Sequence, residues 1–253
     1  MRCLTDQEKA EALANTFATQ FSPNYLNDPE QDSVSQNTLK EIDEIDPSAP
    51  IVISPREVLE VIKGIPQRKT PGEDGIPSGA PRNLPLKLLV NLTTIFNAVL
   101  YLICYPSRWK CARIVPVPRS KKNHHSPEGY RPISLLCTIS KVLETLLLTR
   151  ISDNLNEHRL LDDDHLGFRS GHSTASQLFQ ITDHVTIAFN RKQIAVMVSL
   201  DLEMAFDKIR HERLLLKMKG CCFPARILKT VRTYLQNRSF NTVVNDNDSS
   251  ARS

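Results

Sequence analysis

An α+β fold is predicted by three features of the chain. Two long stretches, residues 85–102 and 138–158, place apolar side chains at helical spacing, with Ile139, Val142, Leu143, Leu146, Leu147 and Ile151 on one face of the second. Three short stretches, residues 109–118, 130–136 and 194–200, carry strand patterns instead. The composition is that of an ordinary globular protein: of 253 residues 40% are apolar and 24% charged, with 8 Gly and 16 Pro, which excludes collagenous, low-complexity and fully disordered chains.

Taken in order, residues 1–50 form an acidic segment with one amphipathic helix, residues 7–21, whose Ala10, Leu13, Phe17 and Phe21 fall at helical spacing; the polar remainder reads as a linker. Ser54 and Pro55 suit the N-cap and first position of a short helix that Gly64 ends. Residues 69–77, Lys-Thr-Pro-Gly-Glu-Asp-Gly-Ile-Pro, are too rich in Pro and Gly for helix or central strand. The prolines of the 109–118 strand place it at a sheet edge. Residues 130–136 return as its hairpin partner, so the basic loop 119–129 becomes a hairpin tip.

Ser173 caps a further helix reaching Phe189. The apolar, β-branched run 194–200 is short enough to be a strand buried on both faces, and it ends on Asp201. A helix from about Met204 would reach Gly220 as its C′ residue, and Pro224 opens another ending near Asn237. A strand from Ser239 to Val244 and a turn at residues 245–248 follow.

The longest uninterrupted apolar run, residues 98–104, is far short of a membrane span, and the first residues are too acidic for a secretory signal. The six cysteines lack the spacing of a zinc site and read as reduced thiols, mostly in the core, which places the protein inside the cell, in nucleus or cytoplasm.

Charge is strongly segregated. Residues 1–50 hold three Lys/Arg against ten Asp/Glu, and the other 203 hold 29 against 18. Residues 75–127 have eight basic side chains and no acidic one; residues 208–238 have nine, with Glu212 alone against them. Such stripes suit a polyanion, because each neutralised phosphate releases a counterion, although two solvated basic faces would look the same.

The sharpest chemical signal is Asp201-Leu-Glu-Met-Ala-Phe-Asp207. A carboxylate at the carboxyl end of a buried strand is held at the rim of a sheet, where a hard cation can meet substrate phosphates. The same aspartate could equally cap the following helix. Asp162, Asp163 and Asp164 diverge as neighbours and read as a solvated loop, and His124 and His125 as a loop tip.

The 201–207 segment resembles the first catalytic motif of reverse transcriptases, Asp-x-x-x-Ala-Phe-Asp. In order along the chain, residues 69–77, Trp109-Lys-Cys-Ala112, Tyr130-Arg-Pro-Ile-Ser-Leu-Leu136, Gly167-Phe-Arg169 with Ser173 and Thr174, and Tyr234-Leu-Gln-Asn-Arg-Ser-Phe240 are similar to segments of the polymerase of jockey- or LINE-type non-LTR retrotransposons. The resemblance covers about residues 50–245. It implies a right-hand polymerase fold with fingers at 51–190 and the start of a palm from 191, preceded by the acidic helix and linker.

It also implies roles. Asp201 and the main-chain carbonyl of Leu202 would hold Mg²⁺, with Mn²⁺ the alternative ion, and Phe206 would be the steric gate against a ribose 2′-OH, where its bland alternative is a core aromatic. Arg131 would grip the triphosphate, helped by Lys121 or Lys122, while Gly167, Phe168 and Arg169 would contact template. The partners implied are an RNA template, a DNA primer and deoxynucleoside triphosphates.

The sequence departs from the family in three places. His165-Leu-Gly-Phe-Arg169 replaces Gln-x-Gly-Phe-Arg; Arg119-Ser-Lys-Lys122 replaces Pro-Lys-x-Gly-Lys; and neither the aromatic-x-Asp-Asp turn nor the Pro-Gln-Gly segment follows Asp207. Two-metal phosphoryl transfer needs several carboxylates around the cations. The expectation is therefore an incomplete palm that is inactive by itself, with a non-catalytic nucleic-acid-binding remnant as the competing reading.

Overall fold

The computed structural model describes residues 5–23, 29–47, 50–120, 125–169, 171–202 and 204–253. Local sequence decides most helix starts. α1 (Asp6–Phe21) opens on a capping box in which Thr5 and Glu8 satisfy each other's amides, and α3 (Pro55–Gly64) does the same with Ser54 and Glu57. Between them the polar stretch expected as a linker forms a second helix, α2 (Pro29–Glu44), burying Ser35, Thr38 and Ile42. α4 (Leu86–Leu102) starts after Pro85 and ends on Ile103 in the left-handed region.

β1 (Cys111–Pro118) and β2 (Tyr130–Leu135) form the expected antiparallel hairpin, closed where the Arg119 amide donates to the Gly129 carbonyl at 2.8 Å. α5 (Thr138–Glu157) and α6 (Thr174–Asn190) follow, the latter capped by Ser173. The helix expected from Met204 begins later, as α7 (His211–Gly220), with residues 204–208 in turns. Gly220 is its last residue rather than its C′, and Cys222 takes the positive φ of 55°. α8 (Ala225–Leu235), β3 (Ser239–Val244) and a two-residue β4 (Asn247–Asp248) complete the order.

The sheet runs β2-β1-β3-β4, with β1 and β3 parallel. β1 is thus central, against the edge position its prolines predict. The reason lies in the register: β3 pairs only with Cys111 to Ile114, so Pro116 and Pro118 lie beyond it, and on the other side Pro116 faces Pro132. Neither proline has an amide for the ladder to miss.

The chain divides into two compact units, Met1–Ser152 with Met204–Ser253, and Asp153–Glu203. In the larger, Leu13, Ala14 and Phe17 of α1 pack on Ala112, Ile114 and Phe240 of the sheet, with Phe21 edge-on to Phe240 at 5.3 Å. A second aromatic cluster joins Phe96, Trp109, Tyr105 and Tyr234 at centroid distances of 5.0 to 6.0 Å, and the Arg238 guanidinium lies 4.6 Å over the Tyr234 ring.

In the smaller unit, α6 buries no residue and Leu166 is the one buried apolar side chain among the described residues. Residues 194–200, expected as a buried strand, make no ladder, and Ile194 and Leu200 are 92% and 88% exposed. A strand buried on both faces requires a neighbour on each edge for its amides and carbonyls; this run has none among the described residues. The cysteines also depart from expectation: Cys137 is buried, but Cys104 and Cys222 are exposed. Among the described residues no helix is long and apolar enough to cross a membrane.

Candidate functional site

Four of the similar segments meet in the larger unit. The 69–77 loop is clamped to the end of the 130–136 segment. Gly72 lies so close that a Cβ would stand 2.5 Å from the Leu136 carbonyl carbon and 2.6 Å from the Cys137 amide nitrogen. The buried Ser78 hydroxyl lies 2.8 Å from the Pro66 and Gln67 carbonyls and accepts from the Lys69 amide at 3.0 Å, while the Thr138 hydroxyl donates to Ile76 at 3.0 Å. Trp109 and Tyr234 share the aromatic cluster, and Cys111 pairs with Ser239. Burial and the nearby Glu144 push the Tyr105 hydroxyl of that cluster far above its ordinary pKa.

Phe206 and Asp207 line a cavity of about 630 Å³, walled by Ala18, Phe21 and Ser22 at the end of α1 and by Ala112, Ile114, Ser134 and Phe240 of the sheet. Phe206 is 73% exposed. Asp207 accepts from Gln20 Nε2 at 2.7 Å, and Lys208 Nζ donates to the Ser22 carbonyl at 2.9 Å. α1 has no basic residue in its last turn, so the cation that meets the negative end of its dipole comes from Lys208, 186 residues away. Sequence reading missed this anchor, and no local signal encodes it.

Arg131 is exposed on β2 opposite Val117. Successive strand residues alternate faces, and Ser134 is on the cavity side, so Arg131 projects from the other side of the sheet. The structure does not bring Arg131 and Phe206 to one face. Lys121, Lys122 and His124 lie outside the described residues.

In the smaller unit, Asp201 and Leu202 are exposed in irregular backbone. Gly167 has open space where a Cβ would point, Phe168 takes φ 58° with its ring exposed, and Arg169 donates to the Asp162 carbonyl at 3.1 Å. The aspartate run is a loop, in which Asp162 Oδ1 accepts from the Asp164 amide. No group of three metal-ligating side chains occurs among the described residues.

The N-terminal acids have partners within the chain. Glu11 receives the Ser250 amide at 2.6 Å, that residue's hydroxyl at 2.9 Å and the Arg252 guanidinium at 2.6 Å, and the Ser250 bonds foremost hold its carboxyl below the usual range. Glu41 pairs with Lys219 and Asp43 with Arg232. Part of the basic stripe 208–238 is therefore occupied from within.

The mixed sheet carries a Pro/Gly loop clamped on its hairpin, the Asp-x-x-x-Ala-Phe-Asp segment places its aromatic residue on a cavity, and residues 120–252 match the reverse transcriptase (RNA-dependent DNA polymerase) family. The chain belongs to that family. Its relatives are polymerases of non-LTR retrotransposons. It is 36% identical over 93% of its length to a probable RNA-directed DNA polymerase from transposon BS of Drosophila melanogaster, covering 26% of that protein. It is 34% identical over 94% to the probable polymerase of the X-element, covering 26%, and 32% identical over 99% to that of the mobile element jockey, covering 27%, both from the same fly. The chain thus spans about a quarter of the length of these relatives.

Proposed function

We propose that the chain is part of an intracellular enzyme that synthesises DNA on an RNA template, extending a primer 3′-OH with deoxynucleoside triphosphates. The observation that carries this reading is the family match across 120–252, which includes the Asp201 to Asp207 segment. Residues 51–190 would supply the fingers and residues from 191 on, with Asp201, the start of the palm.

The donor chemistry at Asp201 fits a hard divalent cation. Its carboxylate is exposed and takes no ion pair or hydrogen bond with the described residues, and the adjoining Leu202 carbonyl is a second oxygen donor. Mg²⁺ bound there, or Mn²⁺ in its place, would neutralise charge developing on the transferred phosphoryl group. Phe206 excludes a ribose 2′-OH by bulk. Asp207, held by Gln20, keeps the segment in place. Arg131, second residue of β2 beside the hairpin tip but on the other face of the sheet from Phe206, would have to reach the triphosphate around the end of the hairpin, together with Lys121 or Lys122. Gly167 leaves backbone open to a template strand, beside the exposed Phe168 ring and Arg169.

Because no carboxylate cluster forms around Asp201 among the described residues, the 253 residues alone would bind primer and template without extending them. A primer-extension assay with an RNA template, run beside a binding titration, tests this. Binding that weakens on Arg131→Gln, with no extension, is expected. Extension that Asp201→Ala abolishes would make the chain a complete catalyst, and failure to bind any nucleic acid would remove the polymerase reading.

A further inference from the structure

The helix that the sequence hides, α2, lies on α7 and α8 through little apolar surface. Among its described side chains the buried ones are Ser35, Thr38 and Ile42. What converges on its last turns is charge. Lys219 of α7 pairs with Glu41; Arg232 of α8 pairs with Asp43 and donates to the Leu39 carbonyl at 3.2 Å; and Lys229 of α8 donates to the Asp43 carbonyl at 2.8 Å. Three cations from two helices thus meet a cluster of carboxylate and carbonyl oxygens, the arrangement a phosphate backbone would otherwise present to them.

We propose that α2 is an electrostatic cover on a nucleic-acid-binding face of α7 and α8, its acidic last turns occupying the ground that backbone phosphates take when it is displaced. Two features favour this over a purely structural contact. A helix held mainly for stability buries an apolar stripe, and among its described side chains α2 offers only Ile42 and the half-buried Leu39 with two small polar residues. Ion pairs whose carboxylates stand in solvent, as those of Glu41 and Asp43 do over the half-buried Lys219 and Arg232, are in contrast weak and screened by salt, so a polyanion can compete for the same cations. The inference rests on the polymerase reading for its partner, but it assigns a surface and a regulator that the reading does not contain.

The test is a fluorescence-polarisation titration of a labelled single-stranded RNA against the full chain at several salt concentrations. Glu41→Gln combined with Asp43→Asn is expected to tighten binding at least about fivefold. It should also steepen the fall of log affinity with log salt by about 1.4, since the two cations that lose their carboxylate partners each contribute roughly 0.7 on a single strand. Adding Lys219→Gln, Lys229→Gln and Arg232→Gln should abolish the gain. Unchanged affinity and slope in the acid-neutralised chain, with the wild type binding RNA, overturns the cover alone. So does a gain that survives loss of the three cations, which marks a general charge effect. No RNA binding by any variant removes the polymerase reading as well.

Discussion

The two units of the chain treat similar side chains in opposite ways. In the larger, Phe17, Phe96, Ile114 and Leu143 are fully buried, and the N-terminal helix is locked to the sheet by Phe17 from one side and Glu11 from the other. In the smaller, Phe179, Phe189, Ile194 and Leu200 are as apolar but stand in solvent. The difference teaches that burial follows from partners rather than pattern. Phe17 meets Ala112, Ile114 and Phe240, which are far away in sequence, whereas the 153–203 segment finds no such set within itself.

This contrast can be broken by substitution. Phe17→Ala should cost about 3–5 kcal/mol in chemical unfolding, as expected for emptying a packed aromatic site, while Phe179→Ala should change stability by no more than ~0.5 kcal/mol. Equal effects would end the distinction, and a negligible effect at Phe17 would mean that α1 is not part of the core. Next in size is Gly72→Ala. Its Cβ meets backbone rather than a yielding side chain, so a cost of about 1–3 kcal/mol is expected. An unchanged unfolding midpoint would mean that the 69–77 loop is not clamped to Leu136.

The smallest effect concerns pH. Burial pushes the Glu57 carboxyl up, but the Ser54 amide and hydroxyl and the Arg150 guanidinium outweigh it and hold the pKa below its ordinary value. A carboxyl held low in the fold stabilises above the unfolded pKa of about 4.3 and loses that contribution as pH falls through the folded value. Glu57→Gln should therefore cost on the order of 1 kcal/mol at pH 7, and its melting curve should approach the wild type's by pH 3. A pH-independent gap would contradict the pairing.

What sequence could disclose tracks how local each cause is. Ser54 with Pro55 and Glu57, and Ser173 before α6, carry their helix starts within a few residues, and the β1–β2 hairpin was legible from its alternation. α2 was not, because it is held by Lys219, Lys229 and Arg232, 178 to 193 residues on. The central place of β1 was hidden because a proline forbids a strand partner only beside itself, and β3 stops short of Pro116. For the candidate site, residue identities were readable from the 201–207 motif, but the hold of Gln20 on Asp207 and of Lys208 on α1 arises from a tertiary contact. The side of the sheet on which Arg131 stands depends on strand parity relative to the core, which the segment alone leaves open.

Hydrogen exchange resolved to short segments tests most directly whether the run leading to Asp201 is uncovered while the hairpin bearing Arg131 is folded. Amides of β1, β3 and the buried turns of α5 should be protected toward the global unfolding limit, and those of residues 194–202 should exchange near the unprotected rate. Protection of 194–202 equal to that of β1 would show that this run is a paired, buried strand, and would contradict the account.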